Sequence, residues 1–177
     1  MSLLTATSED TKAGGVGKPL PDRVWTATVL AAVTESSKKG VGKRVAATLG
    51  QFRDRDGSPQ ITLADGSTYT PGNRKVFDRQ WFEYPPNAQA EAIGQKFLKR
   101  QAMSAGLMPV PRNGDKAELT FDSWDDYADA LVGREVTVRT KQVRAQVSDG
   151  NGSYVDAFED DGVTPKYNVE VGDYLPE

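Results

Sequence analysis

The chain has 177 residues, enough for one domain with a core of its own plus tails, and it contains no cysteine and no histidine. That composition excludes disulfides, thiolate nucleophiles, Cys/His zinc sites and the usual neutral-pH general base. The formal net charge of -3 hides a division: residues 23–100 carry 13 Lys+Arg against 7 Asp+Glu, and residues 101–177 carry 7 against 15, a pattern that points to a polyanion partner on one side and an acidic element on the other.

No apolar run approaches the roughly 18 to 20 residues of a membrane span, and the N-terminus reads as no signal peptide, so a cytoplasmic protein without membrane contact is expected. Residues 1–22 are rich in Ser, Thr, Gly, Lys and Pro without a period and read as a flexible arm. Within it, "GGVGK" at 14–18 lacks the first glycine and the Ser or Thr of a phosphate loop and follows no strand, so it is not a nucleotide site. Residues 23–177 form the expected domain.

From Val24 the sequence alternates, with Trp25, Ala27, Val29, Ala31 and Val33 on one face and Thr26, Thr28, Leu30 and Thr34 on the other, the period of a half-buried strand. A basic hairpin with Lys38, Lys39, Lys43 and Arg44 leads into a second strand through Val45, Ala47 and Leu49. Asp56-Gly57, Asp65-Gly66 and Pro71-Gly72-Asn73 mark turns, and "RKVFDRQWFEY" at 74–84 reads as the next strand, ended by Pro85 and Pro86. Asn87 is a plausible N-cap for a helix with apolar spacing at Ala90, Ile93 and Phe97, a weak spot at Gly94 and a stop at Gly106. Ser123 with Asp126 resembles a capping box for a second, short helix through Tyr127 and Leu131 to Gly133. A strand follows with Val136 and Val138 on one face and Thr137, Arg139 and Lys141 on the other, then a polar, turn-rich loop, then a last strand through Val169 and Val171.

Three strands, a helical insertion and two strands is the order of a small antiparallel barrel, mainly β with some α. The expected fold is a five-stranded oligonucleotide-binding barrel with its helical insertion between strands three and four; a β-sandwich is the rival.

In an extended strand Lys75, Phe77, Arg79 and Trp81 point to one side and Val76, Phe82 and Tyr84 mostly to the other. Alternating cations and rings make a platform for single-stranded nucleic acid, because rings stack any base and cations track phosphates. Lys38, Lys39, Lys43 and Arg44 on the first hairpin, and Arg139 and Lys141 on the fourth strand, extend the candidate DNA-binding set. The bland alternatives are that Phe77 or Trp81 is buried against the helix, as Trp25 and Trp124 are expected to be, and that the basic loop is a solvated hairpin tip. Lys96, Lys99 and Arg100 read as an exposed helix face, and Glu159, Asp160 and Asp161 as a solvated loop, the alternative being a segment that repels DNA or docks a replication partner. Asp149, Asn151, Ser153 and Asp160 have calcium-loop spacings, but Tyr154 stands where glycine is needed. No cofactor, no metal and no catalytic residue is expected.

Six segments together resemble a family of bacteriophage and prophage proteins related to single-stranded DNA-binding proteins: "LPDRVWTATV" at 20–29, "SSKKG" at 36–40, "KVFDRQWFEY" at 75–84, "NAQAEAIGQKFLKR" at 87–100, "YADALVGREVTVR" at 127–139 and "YNVEVGDYLPE" at 167–177. The family glycine of the first segment is replaced by Asp22-Arg23, and the stretch from Gln51 to Asn73 is longer than the family's. The resemblance implies a non-enzymatic phage accessory of DNA replication or recombination in the host cytoplasm. Such a protein coats single-stranded DNA without sequence preference through an oligonucleotide-binding barrel, alongside phage or host replication and recombination proteins, and is compatible with a homo-oligomer. The alternative is a phage structural or decoration protein whose barrel or sandwich packs on neighbouring subunits; a carboxylate-and-metal enzyme is disfavoured, since no paired carboxylates sit at a recognisable spacing.

Overall fold

The computed structural model describes residues 19–176. In chain order the elements are β1 (Val24–Ser36), β2 (Lys43–Arg53), β3 (Ile61–Thr62), β4 (Thr68–Tyr69), β5 (Val76–Glu83), α1 (Ala88–Ser104), α2 (Trp124–Leu131), β6 (Glu135–Arg144), β7 (Gln146–Ser148), β8 (Tyr154–Asp156) and β9 (Tyr167–Tyr174). Five of them form one antiparallel sheet in the order β5-β2-β1-β6-β9, while β3-β4 and β7-β8 are separate two-stranded ribbons. Both helices fall between the third and fourth strands of the large sheet, as the element order suggested. The expected closed barrel is not present as a continuous backbone ladder, which stops at β5 and β9.

Those two edges nevertheless meet through side chains. The Tyr174 hydroxyl donates to Asp78 Oδ2 at 2.7 Å and accepts from Gln101 Nε2 at 2.7 Å, joining β9, β5 and α1. Gln80 Nε2 donates to the other Asp78 oxygen at 2.6 Å. The Tyr127 hydroxyl lies 3.0 Å from Leu98 O and 3.1 Å from Gln101 Oε1, which brings α2 into the same network. A buried polar chain of this kind stabilises only when its members are satisfied, and among the described residues no buried side-chain polar atom lacks a partner.

The core lies on one side of the sheet, where Trp25, Ala27, Val29, Val45, Leu49, Val76 and Val138 pack with Leu98 and Ala102 of α1 and Tyr127 and Leu131 of α2. Alternation predicts β2 correctly. In β1 it fails after Val29: a register shift between Val29 and Ala31 leaves Leu30 and Ala31 both outside, so Ala32 turns inward and Val33 outward, contrary to the expected phase. A bulge inserts one residue and inverts every side chain beyond it.

Asn87 caps α1, its side chain accepting from Ala90 N at 3.0 Å, and Ser123 caps α2, accepting from Asp126 N. The buried face of α1 is Gly94, Leu98, Gln101 and Ala102, one position away from the expected Ala90, Ile93 and Phe97, and Ile93 is 51% exposed. Gly94 explains the displacement: a Cβ there would lie 2.2 Å from Trp81 O, so glycine lets the helix backbone rest on β5. Arg100, expected on an exposed helix face, instead donates twice to Asp173, at 2.6 and 2.8 Å, and to Tyr174 O at 3.0 Å, fastening α1 to β9.

Of the expected N-terminal arm, residues 1–18, with the "GGVGK" segment, lie outside the described residues. Its last residues are docked: Leu20 is buried, Gln142 Nε2 donates to Leu20 O at 2.8 Å, and Thr140 Oγ1 donates to Pro21 O at 2.7 Å while accepting from Trp25 Nε1 at 3.1 Å.

Candidate nucleic-acid interface

The outer face of β5 and β2 carries the candidate platform. Strand register places Phe77 opposite Thr48, Arg79 opposite Ala46 and Trp81 opposite Arg44. In the next row, on β1, Ala31 faces Thr48, Val33 faces Ala46 and Glu35 faces Arg44. Directly opposed residues project on the same side of an antiparallel pair, so Phe77 and Arg79 stand beside the small side chains of Thr48, Ala46, Ala31 and Val33, with Arg44 and Glu35 at the Trp81 end. Nothing large on that floor covers Phe77, which is 60% exposed.

Trp81 is held differently. Its ring stacks on Tyr84 with centroids 4.5 Å apart and planes 19° apart, and the Arg44 guanidinium carbon sits 5.2 Å over the indole centroid. Tyr84, expected on the opposite face, thus shares a side with Trp81 because the chain leaves β5 at Glu83 and turns. The stack rests on Gly42, where a Cβ would meet Tyr84 Cδ2 at 2.5 Å and Trp81 Cζ3 at 3.0 Å. Trp81 is therefore half-buried, prepacked and oriented, while Phe77 is free. The possibility that either ring fills the core does not hold for Phe77. Trp25 is fully buried and Trp124 half-buried against the core.

The cations divide into held and unpaired. Glu35 Oε1 lies 2.5 Å from Arg44 Nε and 3.2 Å from Arg79 Nε, so one carboxylate clamps both guanidiniums from β1. Lys43 Nζ is 3.4 Å from Glu83 Oε2. Lys38 and Lys39 stand exposed on the tight β1–β2 hairpin, closed by Ser37 N to Gly42 O at 2.8 Å, and Lys75 stands exposed at the entry to β5; none of the three has an ion pair among the described residues.

Arg139 and Lys141 lie elsewhere. β6 pairs with the first half of β1, Arg139 opposite Val24, whereas the stretch of β2 that carries β5, Lys43 to Leu49, pairs with its second half, Val29 to Ser36. At about 3.3 Å per residue, roughly 20 Å of strand separates Val24 from Ala31. Both cations also face acids across the β6–β9 ladder, Arg139 opposite Asp173 and Lys141 opposite Glu170. Eight of the ten candidate residues, Lys38, Lys39, Lys43, Arg44, Lys75, Phe77, Arg79 and Trp81, thus lie along β5, β2 and the hairpin that joins β1 to β2, and two are set apart.

Sequence reasoning missed Glu35 and Tyr84, whose roles come from cross-strand register and from a turn. It also missed the apolar character of the excursion between β6 and β9, where Tyr154 is 69% and Val163 77% exposed. The calcium-like spacing there has a local use: Asp149 Oδ1 accepts from Asn151 N at 2.8 Å and Ser153 N at 3.1 Å, shaping the turn. Among the described residues there is no group of three or more carboxylates placed to hold a metal ion, and no helix long and apolar enough to cross a membrane. No protein-family model matches the chain, and no curated protein matches it in sequence.

Proposed function

We propose that this protein binds single-stranded DNA, without catalysis and largely without sequence preference, across the outer face of β2 and β5. The observation that carries the reading is Phe77, an uncovered ring between Lys75 and Arg79, in line with the prepacked Arg44–Trp81–Tyr84 stack. A ring with one free face gives a base somewhere to stack at about 1 to 3 kcal/mol. Lys38, Lys39 and Lys75 supply unpaired positive charge for the phosphates at both ends of the row. The floor beside Phe77 is made of the short side chains of Ala31, Val33, Ala46 and Thr48, which offer little to distinguish one base from another.

The strand order supports an oligonucleotide-binding barrel. Numbering the five long strands by sequence, the sheet runs 3-2-1-4-5 with its ends bridged by Tyr174 and Asp78 and its helices after the third strand, the connectivity of that barrel with its last seam made by side chains. In such barrels the faces of strands two and three and the loop between strands one and two receive nucleic acid, and the eight clustered residues occupy that region. The six motifs resembling phage single-stranded DNA-binding-like proteins add a role in phage DNA replication or recombination.

Titration of the protein with an oligo-dT strand at low salt is the test. Binding with quenching of Trp81 fluorescence is expected, and Phe77→Ala should weaken it by one stacked base, about 5- to 150-fold. No binding at low salt, or an unchanged Kd in Phe77→Ala, would overturn the reading.

A further inference from the structure

The stretch between β6 and β9 leaves the body of the protein as a separate lobe. Its base is sewn together by backbone bonds, Ala145 N to Lys166 O at 3.0 Å, Ala157 N to Ala145 O at 2.8 Å and Lys166 N to Ala157 O at 2.9 Å, and beyond them stand the β7–β8 ribbon and a second turn closed by Glu159 N to Thr164 O at 2.8 Å. All six residues of β7 and β8 are exposed. A two-stranded ribbon with no packed face is marginal in water, and this one displays Val147, Tyr154 and Val155 to solvent, with Phe158 and Val163 exposed on the second turn. Single exposed apolar residues need no explanation, whereas several on one excursion, Val147 paired with Val155 among them, with acidic neighbours, mark an interaction surface.

The charge of the lobe selects the partner. Residues 145–166 carry Asp149, Asp156, Glu159, Asp160 and Asp161 against Lys166 alone, so the rings here repel a phosphate backbone. Two lobes pairing ribbon to ribbon would set the same carboxylates against each other, which costs stability. The β2–β5 face offers what the lobe lacks: Lys38, Lys39, Lys75 and Arg79 around the exposed Val33, Val41 and Phe77.

We propose that the acidic, apolar lobe of one copy docks on the basic β2–β5 face of a second copy, in a contact that a bound polyanion displaces. The contact joins two different surfaces, so it propagates head to tail instead of closing by two-fold symmetry. It rests on charge and apolar complementarity and stands whether or not DNA is the natural occupant of the face. Where DNA does bind there, free copies are held in reserve and released as the strand is coated.

Sedimentation velocity on the full chain tests this. At low salt the weight-average mass should rise with concentration above the 19.2 kDa of one chain and return to it at high salt or on addition of a heparin-like polyanion. The lobe variant Tyr154→Ser/Glu159→Gln/Asp160→Asn/Asp161→Asn and the face variant Lys38→Glu/Lys39→Glu should each be monomeric alone. Mixed one to one, they should form a heterodimer, because the intact face of the lobe variant meets the intact lobe of the face variant and no second complementary pair is left to extend the chain; a mass stopping at two chains in that mixture is the expected result. A chain that is monomeric at every concentration at low salt, or association that either variant leaves intact, overturns the proposal. Loss of oligo-dT binding with association preserved overturns the DNA reading and leaves this one standing.

Discussion

Asp78 is the one carboxylate among the described residues buried in the core, and its partners are all neutral: the Tyr174 hydroxyl, the Gln80 amide and the backbone N–H of Arg79. Desolvation pushes its pKa above the ordinary carboxylate value, and the three donors pull it only part of the way back. The same burial, with the negative charge of Asp78 beside them, pushes the hydroxyls of Tyr174 and Tyr127 up, so both remain donors throughout the physiological range. A carboxylate whose folded pKa lies above its unfolded one contributes stability that is fully present below the unfolded value and is lost as pH rises through the folded value. Wild-type protein should therefore gain stability relative to Asp78→Asn as pH falls from about 7 toward about 4. Urea midpoints of the two proteins measured across that range should diverge in favour of the wild type at the acid end. Parallel curves would mean that Asp78 titrates alike in folded and unfolded chains.

Between elements, the contact that most constrains the site is α1 against β5. Gly94 lets the helix touch the Trp81 backbone, Gln95 Nε2 donates to Phe82 O at 3.0 Å, and Glu91 accepts from Tyr84 N at 2.7 Å, so the first two turns of the helix grip the strand that carries the candidate platform. Gly94→Ala sets two effects in opposition. Helix propensity alone favours alanine by about 1 kcal/mol. The added methyl, however, would meet backbone atoms at 2.2 and 2.7 Å that no rotamer change moves, and overpacking of that kind costs about 1 to 3 kcal/mol. A net loss of about 1 kcal/mol is expected in urea denaturation, and a stabilised variant would show that the helix is not pressed on the strand.

This contact also shows why part of the molecule was legible in sequence and part was not. Caps at Asn87 and Ser123, the stop at Pro85-Pro86 and the strand phases of β2 and β5 are local, and local chemistry declares them. The buried face of α1 was not, because a glycine and a glutamine occupy it for reasons held by Trp81 and Tyr174 on other strands. The β1 phase beyond Val29 was lost to a bulge that leaves no signature in Leu30-Ala31. For the site, composition along β5 was sufficient to find Phe77 and Trp81, but the Glu35 clamp and the distance of Arg139 and Lys141 follow from which half of β1 each neighbour pairs with, and pairing is a property of the whole sheet.

At the scale of the whole molecule, the sequence-level division of charge becomes a division of surfaces, with the cations of β2, β5 and the first hairpin at one end and the acidic lobe between β6 and β9. Within the basic end the charge available to a polyanion is less than its residue count, because Glu35 holds Arg44 and Arg79 and Glu83 holds Lys43. Each phosphate neutralised on a single strand contributes about -0.7 to the slope of log K against log salt. Lys38, Lys39 and Lys75 acting alone therefore give a slope of roughly -2, and all six clustered cations would give roughly -4. Glu35 sets where between these limits the protein sits. Glu35→Gln removes the carboxylate charge while leaving Arg44 over the Trp81 ring, so it should release two guanidiniums to the strand. Affinity for oligo-dT at low salt should rise, and the slope should steepen by about 1.4, as read from fluorescence titrations at several salt concentrations. An unchanged slope with unchanged affinity would mean that the bound strand does not pass over Arg44 and Arg79, and the path of the phosphates would then have to run along Lys75 and the hairpin alone.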